Sequence, residues 1–146
     1  DDLLAALLAE ALDASSGIEP SFFEVSTAAA LLAFSRVRAD ALVLEVGMGG
    51  RLDATNVIKR PRLTVITPVS LDHAEKLGST LALIAAEKSG ILKRGVPCIV
   101  SQQDDEALSV IVETARRTGA PPIVWGQDFD AFEQNGRLVV QTETHV

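Results

Sequence analysis

Glu45 closes a short apolar run, Ala41-Leu42-Val43-Leu44, and is followed by Val46-Gly47-Met48-Gly49-Gly50-Arg51-Leu52-Asp53-Ala54-Thr55-Asn56. A buried-type strand that delivers an acid at its carboxyl end and then opens into a glycine-rich loop is how open α/β sheets build ligand sites. Glycines let backbone amides come close to a ligand. The acid can then meet a metal, a ribose or a reacting group; an acid that only caps or pairs is the competing reading. Arg51 can grip a phosphate or carboxylate with its two-pronged guanidinium, or it can pair with Asp53 and hold the loop. Thr55 and Asn56 read as caps for loop backbone groups, and Met48 reads as packing. Gly47-Met48-Gly49 starts like a dinucleotide fingerprint, but its third glycine would fall on Leu52. That weakens a nicotinamide-dependent oxidoreductase. No stretch reads Gly-x-x-x-x-Gly-Lys-Ser/Thr, so these residues hold no P-loop.

A second group lies further on. Ser70-Leu71-Asp72-His73 follows an apolar run at residues 63–67. In a parallel sheet this loop and the glycine loop emerge at the same carboxyl edge, so Glu45 and His73 could share one site. A carboxylate and an imidazole suit Mg²⁺ or Mn²⁺ that also carries phosphate oxygens. A surface or capping role is the alternative for His73. Glu87-Lys88-Ser89-Gly90 ends the next helical segment. A lysine in a last turn ordinarily answers the helix dipole, and a functional lysine is the other reading. Phe22-Phe23-Glu24 reads as a hydrophobic staple with a first-turn acid. His145 is given no role.

The elements that must position these residues follow from periodicity. Leu3, Leu4, Leu7, Leu8, Ala11 and Leu12 recur at helical spacing until Ser15-Ser16-Gly17. Pro20-Ser21 opens a second helix reaching about Arg38. Residues 41–46, 63–67, 97–101 and 122–125 read as strands, and residues 80–89 and 104–118 as helices. This alternation predicts an α/β fold, a mainly parallel sheet with helices on both faces. Residues 129–133 and 137–142 flank Asn135-Gly136 and predict a small antiparallel tail.

Composition narrows the function classes. The 146 residues are 47% hydrophobic and 23% charged, enough for one domain with a real core. Aromatic residues make up only 4% and the net charge is −7, so neither a stacking platform nor a basic footprint for nucleic acid is expected. The lone Cys98 excludes an intramolecular disulfide and fits a reducing, cytoplasmic compartment. No apolar run is long enough to span a membrane. The chain begins at Asp1 rather than Met, and a piece of a longer protein is expected.

Taken together the blocks resemble the folylpolyglutamate synthase/dihydrofolate synthase family, relatives of the Mur ligases. The resemblance rests on Phe22-Phe23-Glu24-Val25-Ser26-Thr27 and on the run from Leu44 to Asn56. Val65-Ile66-Thr67, Leu71-Asp72-His73 with Leu77-Gly78, and Ala86-Glu87-Lys88-Ser89-Gly90-Ile91 extend it, in matching order and spacing. It covers the chain to about Ser101 and fades after it. The resemblance implies an ATP-dependent amide ligase that joins L-glutamate to dihydropteroate or folate through an acyl phosphate, with Mg²⁺ and ATP. It implies that Glu45 and His73 bind metal, that Lys88 matches a lysine carbamylated in relatives, and that Phe23 and Glu24 lie on the pterin side. Gly49, Gly50, Arg51, Asp53 and Asn56 would support the loop or contact phosphate. It further implies that residues 1–146 are a partial central ATP-binding domain, an incomplete Mur-ligase-type fold lacking the P-loop segment and the C-terminal glutamate-binding domain. Such a piece would be inactive alone and prone to self-association through exposed edges. The alternative is a non-catalytic α/β anion-binding module.

Overall fold

Two sequence patterns, a helical pair and then alternating helices and strands, become two separate units in the computed structural model, which describes residues 2–142. One unit runs to Met48 and includes Leu52–Val57; the other comprises Gly49–Arg51 and the chain from Ile58 onward. His145 lies outside the described residues.

The first unit is built on two helices, α1 (Asp2–Ala14) and α2 (Phe22–Arg36). Leu7 and Ala11 of α1 are buried against Val25 and Ala29 of α2, with Leu8, Leu32 and Ala33 around them. The two buried alanines let the helices approach closely. α2 starts with a capping box: the Ser21 amide donates to Glu24 Oε2 at 2.7 Å, and the Glu24 amide donates back to Ser21 Oγ at 3.3 Å. Arg36 pairs with Glu10 across the helices at 2.6 Å.

Residues 41–46, expected as a strand, pair with no other segment among the described residues. Their apolar side chains meet solvent, Val43 being 91% exposed. Strand formation depends on a neighbouring ladder that fixes the backbone groups. Among the described residues this segment has none, so composition alone cannot make it a strand.

The second unit contains a three-stranded parallel sheet in the order β1 (Thr64–Ile66), β2 (Cys98–Val100), β3 (Pro122–Val124). Between β1 and β2 run α3 (Ala74–Leu77), α4 (Leu81–Lys88) and a 3₁₀ turn, Ser89–Ile91. Between β2 and β3 runs α5 (Asp105–Thr118). Ile66, Val100 and Val124 are in register across the sheet. They form one core with Ile84 and Ala85 of α4 and Ala107, Ile111 and Ala115 of α5. Both crossover helices therefore contribute to one face. On the opposite face Val65 is 51% exposed.

Polar side chains tie the loops of this unit together. Gln103 Oε1 accepts from the Val69 amide at 2.9 Å, and its Nε2 donates to the Thr67 carbonyl at 3.0 Å. The loop leaving β1 toward His73 is thus clasped from the loop leaving β2. Glu106 of α5 accepts from the Ala82 amide in the first turn of α4 at 3.1 Å. α5 carries Asp105 and Glu106 in its first turn and Arg116 and Arg117 in its last, as the helix dipole favours. Gly119 ends it at φ 74°.

The tail forms an antiparallel hairpin, β4 (Phe129–Gln134) and β5 (Arg137–Thr142). Its turn residues Asn135 and Gly136 both have positive φ, 55° and 73°, as a two-residue hairpin of this twist requires. No helix among the described residues is long and apolar enough to cross a membrane.

Candidate functional site

The glycine loop divides between the two units. In the first, Asp53 acts as its organiser. Asp53 Oδ2 accepts from the amides of Gly47 at 3.0 Å and Met48 at 2.9 Å, while Oδ1 accepts from the Thr55 amide at 2.9 Å and the Thr55 hydroxyl at 2.6 Å. Burial pushes the Asp53 carboxyl up, but the Thr55 hydroxyl and the three amides outweigh it and hold it below its ordinary value. Two of the loop amides expected to face a ligand are therefore engaged within the protein. The Asn56 amide donates to the Asp53 carbonyl at 2.9 Å, closing the turn that starts the 3₁₀ segment Ala54–Val57.

Phe23 lies over Gly47, where an added Cβ would stand 2.5 Å from the ring's Cζ. Close approach to an aromatic ring, rather than to a phosphate, requires glycine at this position. Glu24 is engaged in the capping box, and hydrogen bonds from the Ser21 side chain and backbone hold its carboxyl below the ordinary value. Glu45 is exposed and has no hydrogen bond or ion pair among the described residues.

In the second unit the loop's middle residues dock on the end of α4. Gly49 (φ 66°) packs on Leu77, where a Cβ would come within 3.0 Å of the leucine side chain. Gly50 faces Ile91 and the carbonyls of Glu87 and Lys88, leaving room for no side chain. Arg51 pairs with Glu87. Its Nε donates to Glu87 Oε1 at 3.0 Å and Oε2 at 3.3 Å, and its amide donates to the Glu87 carbonyl at 3.0 Å.

Lys88 occupies the last turn of α4, half-buried, with no ion-pair partner among the described residues. His73 precedes α3 in the left-handed region at φ 52°. For a residue with a side chain this conformation is strained, and such strain gathers at functional positions. Its amide donates to Asp72 Oδ1 at 2.8 Å, and its Nε2 lies 3.6 Å from Asp72 Oδ2.

The structure thus brings together Phe23, Gly47, Asp53 and Thr55 in one unit, and Gly49, Gly50, Arg51, Glu87 and Lys88 in the other. Among the described residues no group of three or more His, Cys, Asp or Glu side chains is placed to hold a metal. Glu87 and Gly90 are structural partners of the loop that sequence reasoning missed. The Glu-Lys-Ser-Gly block marked the place, but a pairing across 36 positions leaves no local pattern. Cys98 is fully buried, and burial pushes its thiol up, which suits an inert core residue.

The family model described as "Mur ligase middle domain" matches residues 4–145. Over 113 residues the chain is 45% identical to a dihydrofolate synthase/folylpolyglutamate synthase of Bacillus subtilis, covering 77% of this chain and 26% of that protein. It is similar in structure to E. coli FolC in complex with DHPP and ADP, with a TM-score of 0.88 and 32% identity over 97% of this chain and 33% of that one. It is also similar to the bifunctional folylpolyglutamate synthase/dihydrofolate synthase of Yersinia pestis complexed with AMPPNP and Mn ion. There the TM-score is 0.87 and the identity 31%, over 98% of this chain and 34% of that one. The chain spans about a quarter to a third of the length of these relatives.

Proposed function

Since the chain belongs to the Mur ligase middle domain family, we propose that it is the central part of an ATP-dependent ligase of folate metabolism. The whole protein would add L-glutamate to dihydropteroate, folate or both. The observation that carries this reading is that nearly the whole chain superimposes on a solved relative holding DHPP and ADP. Residues 1–146 would supply part of the central ATP-binding domain. The phosphate-gripping loop and a glutamate-binding domain would belong to other parts of the parent, which would work in the cytoplasm.

In this reading the γ-phosphate of ATP moves to the substrate carboxylate. The amino group of glutamate then attacks the acyl phosphate carbon, the tetrahedral intermediate collapses, and phosphate leaves. The protein's part is to position groups and to stabilise charge. Glu45 and His73 are the proposed ligands of a divalent metal, and the donor chemistry fits. Glu45 offers a carboxylate without a competing partner among the described residues, and His73 an imidazole held on a strained backbone. Mg²⁺ is ordinarily held by one or two protein groups together with phosphate oxygens and water. A relative bound to AMPPNP and Mn supports a divalent metal here, and Mg²⁺ is the ion we propose. When bound, it neutralises phosphate charge.

Lys88 is proposed to act as a carbamate, a carboxylate-like group formed on its amine. Its half-buried side chain has no acid to pair with among the described residues, which leaves the amine open to that modification. Phe23 and Glu24 are proposed to lie on the pterin side. The capping role of Glu24 leaves the aromatic face of Phe23 as the more direct contact. Gly49, Gly50, Asp53 and Asn56 are proposed to support the loop.

The full-length protein should release ADP only when glutamate and either dihydropteroate or folate are present, and the pterin product should gain the mass of one glutamyl residue. Absence of both signals with either acceptor overturns the reading.

A further inference from the structure

Three features meet at the end of α4. Arg51 holds the carboxylate of Glu87 with Nε at 3.0 Å and a terminal guanidinium nitrogen at 3.0 Å, and its amide holds the Glu87 carbonyl. That carbonyl is among those a helix leaves short of donors in its last turn. Gly90 lies so close to Arg51 that a Cβ would fall 2.8 Å from the Arg51 amide nitrogen and closer still to its Cα. Those atoms are backbone and have little freedom to yield. Gly50 in turn lies on the carbonyl of Lys88, 2.9 Å from where its own Cβ would be. Ser89, the next residue, is 1% exposed. The backbone around Lys88 is therefore gripped from the loop side and fixed from the core side.

We propose that Glu87 and Gly90, with Arg51 and Gly50, form a clamp that positions Lys88 for the reaction. Arg51 is then a structural pin between loop and helix, not a phosphate ligand, and Glu87 and Gly90 are positioning residues that touch neither substrate nor metal. The glycines at positions 50 and 90 serve mutual contact of loop and helix. The ion pair neutralises the acid next to Lys88 in sequence, so that acid does not compete for the amine. The half-buried state of the Glu87 side chain favours the pair over an exposed one, because screening by solvent is weaker there. This inference rests on the role given to Lys88 above.

The test uses the full-length protein and compares Glu87→Gln, Arg51→Lys, their double variant, Gly90→Ala and Lys88→Ala by steady-state ADP release. Glu87→Gln and Arg51→Lys should each lower kcat about 10- to 100-fold, the range typical when a group that orients a working side chain is removed. The KM for ATP should stay within about twofold, since no substrate contact is lost. The double variant should be no slower than the worse single one, because both break the same pin. Gly90→Ala should behave alike; if it fails to fold, the two polar variants still decide. Wild-type kcat in Glu87→Gln, multiplying losses in the double variant, or a rise in KM in place of a fall in kcat would each overturn the clamp. A Lys88→Ala enzyme with wild-type turnover would overturn the role of Lys88 and the clamp together. An inactive Lys88→Ala beside a fully active Glu87→Gln would overturn the clamp alone.

Discussion

Glu45, Asp53 and Lys88 each take their task from their surroundings. Both acids belong to the same loop, yet among the described residues Asp53 collects four hydrogen bonds and Glu45 none. Asp53 is therefore a local organiser, whereas Glu45 is exposed and left available. In the full-length protein Glu45→Gln should lower turnover about 100-fold or more, because it keeps the shape and removes the charge. Near-wild-type rates at saturating Mg²⁺ would make Glu45 structural. Asp53 gives a different signal. Its folded-state carboxyl lies below the ordinary 3.8, so its ionised form adds stability above that value and loses it as pH falls through the folded value. Asp53→Asn should cost about 1 kcal/mol at neutral pH, at the low end for bonds to a charged group because the site is partly exposed. The gap between variant and wild type should close in acid, which chemical denaturation across pH can follow; a gap that is independent of pH would refute the ionic role. Lys88→Arg separates two meanings of one cation. A helix-end charge survives the change, whereas a carbamate cannot form on arginine. We expect strong loss of turnover with an unchanged unfolding midpoint, and a fully active variant would return Lys88 to the helix dipole.

At the scale of elements, local chemistry was the readable part. The helix start at Ser21, the apolar stripe of α5, its stop at Gly119 and the Asn-Gly turn are all set by residues within a few positions of one another. The three strands of the parallel sheet were also legible, because short all-apolar runs between helices have few other uses. Residues 41–46 have the same composition but no ladder among the described residues, and a single sequence does not show whether a partner is present. The loop glycines were legible as a site but not in their contacts. Gly47 meets Phe23, and Gly50 meets the end of α4, through separations of more than 20 positions. α3 and the two 3₁₀ turns escaped notice because each is four residues or fewer, too short for periodicity. The junction between α3 and α4 offers a test at this scale. Gly78 has φ 111°, and a Cβ there would stand 2.6 Å from the Cβ of Leu83. Gly78→Ala should destabilise the protein by about 1–3 kcal/mol, combining backbone strain with a clash that a helical Cβ cannot avoid. A midpoint in urea equal to that of wild type would mean that the turn can take another shape.

Over the whole molecule, two opposing terms govern how the chain behaves by itself. Among the described residues the parallel sheet has three strands, ends on β1 and leaves Val65 half exposed on the face away from the core. An edge strand with an apolar, uncovered face invites pairing with another copy. Against this stands a net charge of −7, which makes two copies repel. The strands are three residues long, so an edge pairing would gain few hydrogen bonds, and repulsion should prevail at low ionic strength. Salt shortens the reach of that repulsion to about 10 Å near 0.1 M and less above it, while apolar contact is not weakened. The isolated 146-residue chain should therefore sediment as a monomer in dilute buffer and associate as salt and protein concentration rise. Val65→Lys should suppress that association, since it places a charge on the open face of the edge strand. Sedimentation velocity across a salt series decides the matter. If wild type and Val65→Lys associate equally, or if association weakens with salt, then the face of β1 is not the contact and charge, rather than apolar surface, holds the copies together.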